Sequence, residues 1–329
     1  MLLPTPRGPL SERLVTALAH PPRSHVHLCR TAEHDATDDA LTLWILHELH
    51  YRGFDDVDER WEWAPALSSM RQRLEQELES RLRADFETHL DQHGLTEVVH
   101  DEQAGSDGLV DLLHDLIESD DSPSLAQHLL REGTPERASE FLRQRSVYHL
   151  KEADPTAWVV PRLAGPAKAA LMEIQFDEYG AGHRDRVHQD LFARGLAATG
   201  LSADYGHYLD EARLPILEQN NALSLFGLHR RLRGAALGHL AVFEATSSLP
   251  SRTLARALRR LDLPEELAAY YDEHVEADAV HEQLALRDVC ETLVREESHL
   301  RADVVFGAWA CLELEARTAR DLLQRWDAA

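Results

Sequence analysis

The stretch that decides the fold reads LDLPEELAAYYDEHVEADAVHEQLALRDVC, Leu261–Cys290. Asp262 is a plausible N-cap and Pro264 suits a first helical turn, so the spacing predicts a helix from there. Within it His274, Asp278 and His281 stand at i, i+4 and i+7. At the angular step of an α-helix they project within about 60° of one another. Leu267, Tyr271, Ala285 and Asp288 extend their stripe, while Glu265, Asp272, Glu276 and Gln283 mark the opposite face. The polar trio is therefore expected on the buried side. Imidazole and carboxylate groups there are costly unless paired or metal-bound. Two His and one carboxylate on one face are ligands suited to Fe, Mn or Zn. The alternative for the same spacing is a half-exposed face carrying a chance His.

A dinuclear site needs further ligands from other helices. Upstream, NNALSLFGLHRRLRGAALGHLAVFE (Asn220–Glu244) ends on a Glu in an apolar stretch, just before TSSLP, which is expected to stop the helix. Gly234, Gly238 and Ala241 leave room beside Glu244 for close packing or for a ligand. A lone Glu near a helix end is otherwise a solvated side chain. Further upstream, AALMEIQFDEYGAGHRDRVHQDLF (Ala169–Phe192) offers Glu173, Asp177, Glu178, His183, Asp185 and His188. An unbroken helix would set Glu178 and His188 about 80° apart. Gly180 and Gly182 are poor helix formers, and a loop-out there would bring the two to one face. Glu173 and His183 have the same spacing, so pattern does not choose between the pairs.

Outside these segments the periodicity is helical almost throughout. Leu67, Met70, Leu74, Leu78, Leu82, Phe86 and Leu90 recur every three or four residues and predict one amphipathic helix. Others are expected over about 39–51, 108–118, 124–131, 135–148, 167–193, 215–244, 264–293 and 303–326. SDDSPS (Ser119–Ser124) is a turn cluster. KEADPTAWVVPRLAGP (Lys151–Pro166) carries three prolines and marks a boundary. Hairpin signals of the Asn-Gly type are missing, so few strands are expected.

The 329 residues, 43% hydrophobic, suffice for a large core. A net charge of −24 disfavours nucleic acid and acidic membrane surfaces as partners. No apolar run approaches the roughly 20 residues of a membrane span. MLLPTPRGPLSERL lacks the pattern of a secretory leader, so a cytoplasmic protein is expected. Cys29, Cys290 and Cys311 are too far apart for a disulfide framework or zinc ribbon. Lysine occurs only as Lys151 and Lys168 against many arginines, which reads as genomic base composition.

The order of these residues resembles the haem-oxygenase-like diiron oxidases and oxygenases, the iron-containing redox enzyme family. Its members take Glu and His from one core helix, Glu from a second, and His-x3-Asp-x2-His from a third. Glu178 and His188 in DEYGAGHRDRVH match the first pair, Glu244 in HLAVFEATSS the second element, and His274, Asp278 and His281 in HVEADAVH the third. Some relatives add an upstream carboxylate, for which Glu152 in KEADP is the candidate. The resemblance covers roughly residues 148–326. It implies an all-α, haem-oxygenase-like bundle (148–329) preceded by an N-terminal helical extension (1–147). It also implies two Fe (Fe2+/Fe3+), O2 as co-substrate, and N-oxygenation, desaturation or C–C cleavage of a small organic, amino-acid- or peptide-derived substrate. An external electron donor and a homodimer are both compatible with it.

The competing readings are a metal-free enzyme of the same fold, haem held by one axial His, a zinc hydrolase, and a non-catalytic helical interaction protein. A ferritin-like bundle would want two Glu-x-x-His motifs, and beside Glu296–His299 no second copy stands in a suitable helix. His47 and His50 in LHELHYRG lack the His-Glu-x-x-His spacing of zinc proteases and read as ordinary core or surface His. Arg230, Arg231 and Arg233 would suit a substrate carboxylate, but ion pairs to the acidic surface are the simpler reading.

Overall fold

A computed structural model describes residues 1–22 and 35–328, with the side chains of 276–280 outside that description. It is 75% helical, and the described residues contain no strand. The first half holds α1 (Pro9–Leu18), α2 (Ala36–Glu48), α3 (Pro65–His93), α4 (Thr96–Val99), α5 (Leu109–Glu118), α6 (Leu125–Glu132) and α7 (Pro135–His149). The second holds α8 (Asp154–Ala157), α9 (Gly165–Glu178), α10 (His188–Ala198), α11 (Leu214–Leu228), α12 (Arg233–Arg260), α13 (Glu265–Gln283), α14 (Thr292–Glu296) and α15 (Arg301–Ala328).

Local chemistry starts these helices. Asp35 accepts from the Thr37 and Asp38 amides, Ser124 from Gln127 and Thr134 from Arg137. Each thereby satisfies an amide that the first helical turn leaves open. Asp38 of α2 accepts from the amides of Leu10 and Ser11, so one helix caps another. The stripe from Leu67 to Leu90 on α3 is buried as its period predicts. One continuous core joins Leu14, Trp44, Leu78 and Phe86 of the first half to Leu217, Leu237 and Phe306 of the second.

α12 is the axis of the second half and packs against α13, α15 and α6. Its contact with α15 is made by reciprocal glycines. A Cβ on Gly238 would lie 1.9 Å from the Val304 carbonyl oxygen, and one on Gly307 1.9 Å from that of Ala235. Close packing, not ligand space, thus explains the small residues before Glu244.

Several expected boundaries differ. The segment expected over 215–244 breaks at His229, which is extended (φ −105°, ψ 116°), so α11 and α12 are separate helices. TSSLP does not stop α12, which continues through Pro250 to Arg260. The Thr246 and Ser247 hydroxyls fold back onto the Val242 and Phe243 carbonyls, so these residues satisfy themselves within the helix. Asp262 is not the N-cap of α13. It adopts the left-handed conformation (φ 57°) and closes α12: its amide bonds Arg259 O, and the Leu263 amide bonds Leu258 O. Asp288 is exposed rather than on the buried stripe. Residues Leu284–Glu291 form a π-helical turn, whose wider pitch rotates every later side chain relative to α-helical spacing.

Candidate metal centre

The turn after α9 assembles the first part of the site. Gly180 and Gly182 have φ 84° and 83°, values glycine takes without strain. A Cβ on Gly180 would lie 2.3 Å from the His183 carbonyl oxygen, so the turn closes too tightly for another residue. It reverses the chain so that Glu178 ends α9 and His188 begins α10, with His188 Nδ1 3.1 Å from Glu178 Oε2. Glu173 and His183, which shared that spacing, are exposed.

Two buried trios result. In one, Glu152, His188 and His274 each offer a ligand atom within 4.8 Å of the others; in the second, Glu178, Glu244 and His281 do the same. The first draws on α10, α13 and the segment after α7, the second on α9, α12 and α13. His274 Nε2 lies 3.7 Å from Glu152 Oε1, and His281 Nδ1 lies 3.4 Å from Glu244 Oε2. The His188 and His274 rings are 4.6 Å apart between centroids. A void of about 20 Å³ separates Glu152, Glu178, Glu244 and His274. Six of the seven residues named from the sequence thus come together. The Asp278 side chain lies outside the described residues.

The imidazoles are oriented from behind. His274 Nδ1 is 2.9 Å from the Tyr270 carbonyl, which fixes the proton on Nδ1 and turns Nε2 toward Glu152. His281 Nε2 is 3.2 Å from Asp177 Oδ2, and Nδ1 faces Glu244. Such outer partners recur behind metal-bound His. His188 Nδ1 and His281 Nδ1 are buried with no well-formed hydrogen bond, although carboxylates stand close by. Buried ring nitrogens that face carboxylates without a formed hydrogen bond can turn their lone pairs to a cation held between the two.

The charges are strongly coupled. Burial opposes protonation of His281, but Glu244, Asp177 and Glu178 together push its pKa up to about 9. Burial likewise opposes the charge on His188, and Glu178 outweighs it, raising the pKa. Burial opposes the charge on Glu152, but His149 and His274 draw its pKa well below the usual carboxylate range. Glu244 moves upward, through burial and then Glu178, against the pull of His281. Protons thus do part of the balancing that a divalent cation would do by binding the same groups.

Sequence reading missed two neighbours of Glu152. His149 Nδ1 is 3.0 Å from Glu152 Oε1, and the Tyr270 hydroxyl donates to Glu152 Oε2 at 2.8 Å. Their spacing, three residues before Glu152 and four before His274, was the available signal. Beside them Lys151 is fully buried, its Nζ 3.4 Å from Glu48 Oε2 and over the rings of Trp44 and Tyr51, while Tyr205 donates to the same Glu48 oxygen. Burial lowers the Lys151 pKa and raises that of Glu48, each partly offset by the other.

The remaining motifs are structural. Arg231 pairs with Glu79 and Arg233 with Glu297. His47 is a core residue between Glu75 and Asn221, His50 packs on Trp63, and both Glu296 and His299 are exposed. Cys290 and Cys311 are buried free thiols, and Cys29 lies outside the described residues. No helix among the described residues is long and apolar enough to cross a membrane.

A chamber of about 250 Å³ reaches the centre. Glu152, His149, Tyr270 and His274 form its inner end, and no residue of the second trio lines it. Its walls include Phe141, Phe243, Leu254 and Leu312. Arg145, the one arginine on the wall, is engaged bidentately by Glu315 at 2.6 Å on each oxygen.

Fold and site together define an all-helical protein with a buried carboxylate–imidazole centre open to one apolar chamber. Residues 139–316 match the model of the iron-containing redox enzyme family, and the chain belongs to that family. The matched span is more than half the chain and contains every residue of both trios. No curated protein sequence matches the chain.

Proposed function

We propose that this family member is a non-haem diiron oxidase or oxygenase that uses O2 to oxidise a small organic substrate. The observation that carries the reading is the pair of facing trios, each buried and each mixing carboxylate with imidazole. Glu152, His188 and His274 would hold one ion, and Glu178, Glu244 and His281 the other. Asp278 joins them on the sequence reading alone. Carboxylates suit this task because they offset the charge of two divalent cations and supply hard oxygen donors, while the neutral imidazoles add donors without charge. A bound iron pair would supply the electrons that reduce O2 and so drive oxidation of the substrate.

The chain's own part is placement. The chamber ends on Glu152 and His274, so the substrate approaches beside the first trio. Phe141, Phe243 and Leu254 replace water along the way. Electrons beyond those the substrate provides would come from an external donor.

Anaerobic reconstitution tests the reading. The parent should hold close to two Fe(II) per chain, and Glu244→Ala or His281→Ala should hold about one. Glu244 is alone among carboxylates on its stretch of α12, so its loss should also abolish fast oxidation of iron by O2 in stopped flow. Full loading and unchanged oxidation in Glu244→Ala would remove Glu244 from the site and overturn the second trio as drawn.

A further inference from the structure

Glu152 differs from the other carboxylates of the centre in how it is held. It follows α7 by a few residues and belongs to no helix, since α8 starts only at Asp154. Backbone geometry alone therefore fixes it less firmly than Glu178 or Glu244. Its position is set by side chains: Tyr270 donates to Oε2 at 2.8 Å, and His149 Nδ1 stands 3.0 Å from Oε1 and 2.9 Å from the Tyr270 oxygen. The one phenolic proton goes to Glu152, so His149 must carry its proton on Nδ1 and act as donor toward Oε1 and the Tyr270 oxygen. Gln189 fixes the other end of the residue, donating to the Glu152 carbonyl at 2.7 Å.

We propose that Tyr270 and His149 are positioning residues that hold Glu152 as a metal-binding carboxylate of the first trio. Oε2 is occupied by the phenol. Oε1 is the oxygen 3.7 Å from His274 Nε2, and its second lone pair remains for a cation shared with His274 and His188. Tyr270 contributes twice, because its backbone carbonyl also orients the His274 ring. Phe192 packs against both the His149 and Tyr270 rings at 5.0 Å, which limits their freedom to turn away. The two metal positions are consequently unequal: removing the phenol should loosen one and spare the other.

The proposal rests on the diiron reading, and the test separates them. Metal-free parent, Tyr270→Phe, His149→Gln and Tyr271→Phe are titrated with Fe(II) under anaerobic conditions, and the melting temperature of each metal-free protein is measured alongside. The parent should show two equivalents. Tyr270→Phe and His149→Gln should weaken one equivalent ten- to a hundredfold and leave the second unchanged. Tyr271 is the control, a buried neighbour whose hydroxyl has no hydrogen-bond partner; its Phe variant should bind as the parent does. A purely structural role would lower the melting temperature without weakening one equivalent selectively, or would weaken both equivalents together, and would overturn the proposal. Two unweakened equivalents in Tyr270→Phe and His149→Gln would overturn it alone. A parent that takes up no iron would overturn the diiron reading and the proposal together.

Discussion

Gly238→Ala makes the packing argument quantitative. The added methyl would sit 1.9 Å from the Val304 carbonyl oxygen and 2.7 Å from its carbon, where ordinary contacts begin near 3.4 Å. The obstacle is backbone, which no rotamer change relieves, so α12 and α15 must part by about 1.5 Å. Separation on that scale forfeits a large share of the dispersion contacts along the seam. Overpacking of this kind costs about 3 kcal/mol, against a gain of about 1 kcal/mol from replacing Gly by Ala within a helix. The expected net loss is about 2 kcal/mol, read as a lower urea midpoint at unchanged slope. Gly307→Ala meets the Ala235 carbonyl across the same seam and should cost about as much. Because one displacement relieves both clashes, the double variant should lose less than the sum of the singles, with a coupling of about 1 kcal/mol. Gly94→Ala, with nothing within 4 Å and φ +67°, should show only a backbone cost of about 1 kcal/mol. Strict additivity, or single variants as stable as the parent, would refute the claim that the reciprocal glycines set the helix spacing.

Two further outcomes concern the chamber. Burial resists the charge on Glu315, but Arg145 and Gln219 draw its pKa down to about 2 from 4.5. A depressed carboxylate stabilises the fold above its unfolded pKa and loses that contribution as pH falls through the folded value. The stability gap between the parent and Glu315→Gln, about 3 kcal/mol at neutral pH, should therefore close between pH 4.5 and 2. The side chain keeps 29% of its surface open, so this magnitude is an upper bound; chemical denaturation across that pH range is the measurement. Ala316→Phe, on the chamber wall, should raise substrate KM at least tenfold while leaving iron loading intact; a loss of iron with no change in KM would contradict the assigned route.

The elements legible in the sequence are those that local physics decides. The α3 stripe and the α5, α6 and α7 boundaries were legible because one face of each meets the core and a Ser, Thr, Gly or Pro stands at the start. The meeting of Glu178 with His188 was legible as a condition, since the glycines allowed a reversal without requiring it. Where reading failed, non-local or unusual backbone decided. Pro250 argued for a stop, yet α12 continues because its flanks pack on α13, α15 and α6. Asp262 has the chemistry of an N-cap and serves instead at the end of the preceding helix. Asp288 was assigned to the buried face by counting at α-helical pitch, which the π turn invalidates. Tyr270 and His149 had visible spacing, but their meeting with Glu152 depends on how α7 and α13 are juxtaposed.

The burial of Lys151 reaches beyond stability. With its amine enclosed between Trp44, Tyr51 and Glu48, the half-buried Lys168 is the chain's other lysine and the accessible target for side-chain amine reagents. It lies on α9, the helix that ends at Glu178. A fluorophore attached there would come close to site-specific labelling without engineering, and would report on the helix that carries one corner of the centre.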